Sequence, residues 1–151
     1  MNNYSSLVDI LIKDEMDNRP QHERLLHICH TPEYLKIHAG FPDLPMAITG
    51  KVIGKAHFDH GIHKNLIKNL PDVLLDAKCI FKSANPHHTD SIVLLTLEMQ
   101  RSYPVIIPIR RNHQVGRGQN YNLVTSIYGK EGPDPEAKWK SDGLLLWERS
   151  Q

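Results

Sequence analysis

The densest chemistry in this chain lies in ten consecutive residues, Lys55-Ala56-His57-Phe58-Asp59-His60-Gly61-Ile62-His63-Lys64. Three imidazoles, one carboxylate and two ammonium groups fall within them. Imidazoles exchange protons near neutral pH, so a histidine held by a fixed backbone suits general acid–base catalysis. A lysine beside it can pair with a phosphate as a point charge. His57, Asp59, His60 and His63 are also good metal ligands, but their spacing is not H-E-x-x-H and no thiolate joins them. Taken alone, the segment reads first as a solvated polar turn ahead of a helix.

A second constellation lies on and before a late strand: Arg110, Arg111, Asn112 and His113, then Arg117, Asn120, Asn122, Thr125, Ser126 and Tyr128. Strand alternation places Asn122, Val124, Ser126 and Tyr128 on one face and Leu123, Thr125 and Ile127 on the other. A face of Asn, Ser and Tyr suits a phosphate or ribose, with Arg110, Arg111 and Arg117 supplying positive charge. An ordinary solvent-facing strand beside a basic loop explains the same residues equally well.

Other motifs fall away. Gly116-Arg117-Gly118 follows a turn and opens no helix, so it is no nucleotide fingerprint. Ser126 lies outside any G-x-S-x-G elbow, and neither Cys29 nor Cys79 sits in a nucleophile motif. His87-His88 reads as an exposed loop pair, and His22, His27, His30 and His38 take no assigned role.

The elements that must position these groups come from periodicity. Residues 6–17 read as an amphipathic helix and 21–29 as a short second one. Thr31-Pro32-Glu33 opens a helix that Gly40 stops. Met46 to Thr49 and Val52-Ile53 read as short strands, 57–61 as a loop, and 62–70 and 71–75 as helical. Strands follow at 79–81, 91–99, 105–109 and 121–128; Pro108 predicts an edge or bulged position for the third. Residues 136–141 read as helical and Leu144 to Trp147 as a last buried strand or helix end. Helices first and a meander afterwards make an α+β domain.

The chain's 151 residues and 17.3 kDa suit one domain with an N-terminal arm: a helical extension over 1–30 and an α+β domain over 31–151. Eighteen basic against 17 acidic residues exclude a strongly basic nucleic-acid coat, although a local basic patch remains compatible with them. Ten histidines are the compositional oddity. Two cysteines make no disulfide framework and read as reduced and buried, which places the protein in the cytoplasm. The N-terminus has no secretory pattern, and no apolar run approaches the roughly 20 residues of a membrane span.

Thr31-Pro32-x-x-Leu35, Gly40 with its proline-bracketed strand, Lys55 with His57 or His60 before a helix, and Leu70-Pro71 form an ordered set. The apolar strands at 91–98 and 105–107, Asn122 to Tyr128, and the terminal Leu-Leu-Leu-Trp-Glu continue it. Over about residues 31–148 this resembles the phage barnase–EndoU–colicin–RelE-like nucleases. The resemblance implies N-terminal helices packed on a four-stranded antiparallel sheet. It also implies cofactor-free, metal-independent RNA cleavage, in which a 2′-hydroxyl attacks the adjacent phosphate to leave a 2′,3′-cyclic end. It puts His57 or His60 in the acid–base role and Lys55 beside the phosphate. Ser126 (or Thr125) and Tyr128 become hydrogen-bond donors, and Arg110 a further phosphate contact.

The leading expectation is a small endoribonuclease, a toxin or phage effector acting on tRNA or mRNA, with a cognate immunity or antitoxin protein as its partner. One alternative is a catalytically inactive RNA- or protein-binding domain of the same fold. Another is a metal-dependent hydrolase using the histidines of residues 57–63.

Overall fold

The structure is a computed structural model, and it describes residues 3–150. The N-terminal leader reading includes Met1 and Asn2, which lie outside the described residues.

Helix α1 (Tyr4–Met16) buries Tyr4, Val8, Leu11 and Ile12, one helical face, and leaves its charges outside. The expected helix over 21–29 is instead strand β1 (Leu25–His30). Leu26 and Ile28 point inward and His27 outward, a period of two that a helix cannot satisfy. Helix α2 (Glu33–Ala39) stops at Gly40, whose φ of 68° is left-handed, and strand β2 (Pro45–Thr49) follows.

Val52-Ile53 is also not a strand. The hydroxyl of Thr49 accepts the Val52 N–H at 3.4 Å and caps helix α3 (Gly50–Gly54). The helix runs directly into a π-helical turn (Lys55–Asp59) where a loop was expected. Helices α4 (Lys64–Lys68) and α5 (Leu70–Leu75) complete the first half.

The second half is mainly strands: β3 (Cys79–Lys82), β4 (Ser91–Gln100), β5 (Tyr103–Val115), β6 (Gln119–Val124), β7 (Tyr128–Gly129) and β8 (Leu145–Glu148). Helix α6 (Pro135–Ser141) lies between β7 and β8.

The fold is α+β, but the expected arrangement of N-terminal helices on a four-stranded antiparallel sheet is corrected on two counts. The sheet has eight strands in the order β1-β2-β6-β5-β4-β3-β8, with β7 also paired to β5. It grows because β2 pairs in parallel with β6, Ala47 opposite Leu123, and brings β1 in behind it. The remaining pairs are antiparallel. Helix α6 follows the strands and packs Trp139 edge-on against Phe81, 5.3 Å between ring centroids.

Strand β5 lies between β4 and β6, not at an edge, despite Pro108. The Pro108 carbonyl accepts the Thr125 N–H at 3.0 Å, so the ring's missing N–H falls beside the point where β6 gives way. One sheet face carries Ile80, Ile92, Leu94, Ile107, Ile109 and Val124 into a core shared with α1. The other carries Cys79, Phe81, Leu95 and Ile106 beneath α6. Residues of α1 and β1 therefore belong to the same core and sheet as the later strands. Among the described residues no helix is long and apolar enough to cross a membrane.

Candidate functional site

The π-helical turn gives the histidine segment its shape. Inserting one residue into a helix opens its hydrogen bonding, so the His60 N–H reaches back to the Lys55 carbonyl at 2.9 Å. Gly61, with φ of 67°, then reverses the chain in a conformation most side chains avoid. Its carbonyl accepts the Gln100 side-chain amide at 2.5 Å, which pins the turn to the end of β4.

His60 is exposed and fixed. Its Nδ1 lies 3.0 Å from the Ile127 carbonyl. A carbonyl only accepts, so Nδ1 carries the proton and the neutral ring presents an unprotonated Nε2. His57 makes the same kind of bond to the Ile62 carbonyl at 3.0 Å, but its half-buried ring packs against Phe58. The His63 Nδ1 accepts the Asn65 N–H at 3.1 Å and caps α4. Each ring is thus committed to a different backbone group. Among the described residues, the side chains that could share a metal ion are Cys79, Glu136 and Glu148. The ammonium groups of Lys78 and Lys140 lie 2.6 Å and 2.8 Å from Glu136.

Tyr128 meets His60 because the sheet register slips. Val124 lies opposite Ile109, but Tyr128 lies opposite Ile106, one residue out of step. The slip turns Ile127 into the helix-side core and Tyr128 to the other face. The Tyr128 ring lies 5.7 Å from that of His60, edge to face. Burial raises its pKa above the ordinary tyrosine value, so the phenol is a hydrogen-bond donor at neutral pH. The expected shared face of Asn122, Val124, Ser126 and Tyr128 does not form.

His60 and Tyr128 line a cleft of about 380 Å³ with Asp59, Gln100, Arg101 and Glu131. Tyr103 and Phe58, both partly exposed, add aromatic surface at its edge. Arg101 is not among the candidates that the sequence offers; it lies in the turn between β4 and β5. Gln100 pairs with Tyr103, so Arg101 and Ser102 form a two-residue hairpin turn with φ of 50° and 70°. Such turns favour Asn-Gly, and a backbone held left-handed by Arg and Ser is strained. A strained arginine at the mouth of a cleft is the signal that Arg-Ser in this position carried.

The other candidates lie elsewhere. Lys55 is exposed at the start of the π-helical turn, and Ser126 is half-buried in the segment joining β6 to β7. The Thr125 hydroxyl donates to the Pro108 carbonyl at 3.2 Å. Asn122 is fully buried, and its polar groups serve the fold. Its amide N donates to the Thr31 hydroxyl at 2.7 Å and the Pro42 carbonyl at 3.0 Å; its oxygen accepts the Asn112 N–H at 3.1 Å. Arg110 faces Asp90, Nε to carboxylate 3.6 Å. Arg111 donates to the carbonyls of Ala39 and Thr89, while Arg117 is exposed in the β5–β6 turn. The second sequence constellation therefore divides: Tyr128 joins His60 at the cleft, and the arginines of residues 110–117 lie toward the other end of β5.

A family model for the phage MuF-C-terminal domain matches residues 51–151. Every residue lining the His60–Tyr128 cleft falls inside that match. No curated protein and no solved structure matches the chain.

Proposed function

From the premise that the chain belongs to the phage MuF C-terminal domain family, we propose that it is a small endoribonuclease that cleaves RNA without a metal ion in the His60–Tyr128 cleft. The observation that supports this reading most is the meeting of His60, Tyr128 and Arg101 around one cleft. The unprotonated Nε2 of His60 takes the proton of an RNA 2′-hydroxyl. The 2′ oxygen bonds to the adjacent phosphorus as the bond to the 5′ oxygen breaks, and the proton held by His60 passes to that leaving oxygen. Tyr128 donates a hydrogen bond to a non-bridging phosphate oxygen, and Arg101 offsets the charge that grows there. Of the two histidines considered from sequence, His60 is the one that lines the cleft, and His57 supports its turn.

The test is cleavage of total and transfer RNA with and without EDTA, comparing wild type with His60→Ala and Tyr128→Phe. Chelator-resistant cleavage with cyclic-phosphate ends, lost in His60→Ala, supports the reading. A folded wild type that leaves both RNAs intact sinks it.

One observation favours a second reading. Asp59 and Glu131 put two carboxylates in the same cleft, and they repel a phosphodiester. A catalytically inactive domain that binds RNA or protein would tolerate them. As a toxin, the enzyme would need an inhibitor protein, and an acidic surface that pairs with Arg101 suits that role.

A further inference from the structure

A second pocket, of about 300 Å³, lies at the opposite end of β4 from the His60 cleft. Ser91, the first residue of that strand, lines it, while Gln100, the last, lines the cleft. At about 3.4 Å per residue the two sites are on the order of 30 Å apart.

This pocket gathers basic groups from four separate segments: His38 from α2, Lys82 from β3, His88 from the β3–β4 connection and Arg111 from β5. No carboxylate is among the residues that line it. Asp90, the nearest in sequence, faces Arg110 instead. Among the described residues neither Lys82 nor Arg111 makes an ion pair, so both charges stand without a counter-ion from the protein.

Arg111 is preorganised. It donates to the Ala39 carbonyl at 2.6 Å and the Thr89 carbonyl at 3.0 Å, and its guanidinium lies 5.7 Å from the centre of the Phe41 ring. A guanidinium has five N–H donors, so two such bonds fix the fork and leave donors over. Those carbonyls orient the charge without neutralising it. Ala39, Pro86, Ile92 and Leu146 give one part of the wall apolar surface, and Ser83, Asn85, Thr89 and Ser91 add neutral polar groups beside it.

We infer that this pocket binds the terminal phosphate of a nucleotide, Arg111 and Lys82 holding the phosphate and the apolar wall taking the attached sugar or base. Two cations without a counter-ion, one of them held in place, suit a doubly charged phosphate monoester, and bidentate arginine geometry matches its oxygens. A free mononucleotide and the phosphorylated end of an RNA chain share this chemistry. The inference does not depend on the cleavage chemistry proposed for the distant cleft.

The experiment is calorimetric titration of the whole protein with AMP, adenosine and inorganic phosphate. Two 2′-O-methyl RNA oligonucleotides, with and without a 5′-phosphate, compete for the site and cannot be cleaved. Because Arg111 also braces two backbone segments, the variants are the exposed Lys82→Ala and His88→Ala. Binding of AMP but not adenosine, weakened roughly tenfold in Lys82→Ala with thermal stability unchanged, is the expected result. Displacement by the phosphorylated oligonucleotide alone identifies the RNA end as the source, and its failure to displace AMP identifies the free nucleotide. Binding of inorganic phosphate as tight as AMP overturns the nucleotide assignment. No AMP binding by folded wild type, or binding unchanged in both variants, overturns the site.

Discussion

His60 donates from Nδ1 to the main-chain carbonyl of Ile127, 67 positions further along the chain, at 3.0 Å. The bond joins the π-helical turn to the slip between β6 and β7, so one contact fixes both the ring's tautomer and its place beside Tyr128. If His60 is the general base, His60→Ala loses on the order of 10²–10⁴-fold in RNA cleavage. Its melting temperature should stay close to wild type, because the exposed ring contributes little burial. An equal loss of activity and stability would assign His60 to the fold instead. Single-turnover cleavage beside a melting curve separates the two.

The strained Arg101-Ser102 turn makes a paired prediction. Ser102→Gly removes the left-handed penalty at φ of 70° and should stabilise the protein by about 1 kcal/mol with cleavage unchanged. Arg101→Asn suits the same turn type and should also stabilise, yet weaken RNA binding and flatten its salt dependence. Denaturant titration and binding at two salt concentrations read both effects. Unchanged RNA binding in Arg101→Asn would remove Arg101 from the site.

Asn122 was a substrate contact in the sequence reading, and the structure makes it a joint between β6, the β5 bulge and the loop after α2. Asn122→Ala empties a fully buried site and removes its bonds to the Thr31 hydroxyl, the Pro42 carbonyl and the Asn112 N–H, and should cost about 2–4 kcal/mol of stability. Chemical denaturation measures this. A stable variant with lost activity would restore the substrate role.

Burial pushes the thiols of Cys29 and Cys79 up to about 11 from 9.0, because the thiolate is poorly solvated in the interior. Below pH 9 the folded and unfolded chains both hold these protons. Above it the unfolded chain releases them while the folded chain keeps them, so stability falls as pH rises from about 9 to 11. Tyr4 and Tyr34, raised the same way, extend that loss to higher pH. Denaturant midpoints at pH 8, 9, 10 and 11 should fall in that order, and a flat series would contradict the buried assignment. Alkylation at neutral pH should be slow until the protein unfolds.

The parts of the fold legible in sequence were those with a clear period or a strong terminator. The α1 stripe, the Gly40 stop, and the β4 and β6 strands are of that kind. Leu25 to His30 was misread because its two inward residues are too few to distinguish a period of two from a helical one. The parallel β2–β6 pairing was not legible, since no local pattern specifies a partner 76 positions away. His60 and Tyr128, singled out by residue type, line one cleft, but a one-residue slip decided which face Tyr128 took. Arg101 reaches the cleft through a hairpin geometry that its residue type alone does not announce.

The parallel seam between β2 and β6 has a consequence for how this domain can be cut. The family match begins at residue 51, immediately beyond β2. Released from the first 50 residues, the matched segment would keep every residue that lines the His60 cleft but lose the neighbour that covers β6. Asn122, Leu123 and Val124 would then offer an unclaimed row of backbone donors and acceptors, with apolar side chains on both sides. Such an edge is an acceptor for any extended chain, including the same segment of a second molecule. The trimmed domain should therefore self-associate through exchanged strands, and a synthetic peptide carrying the β2 sequence should return it to single molecules.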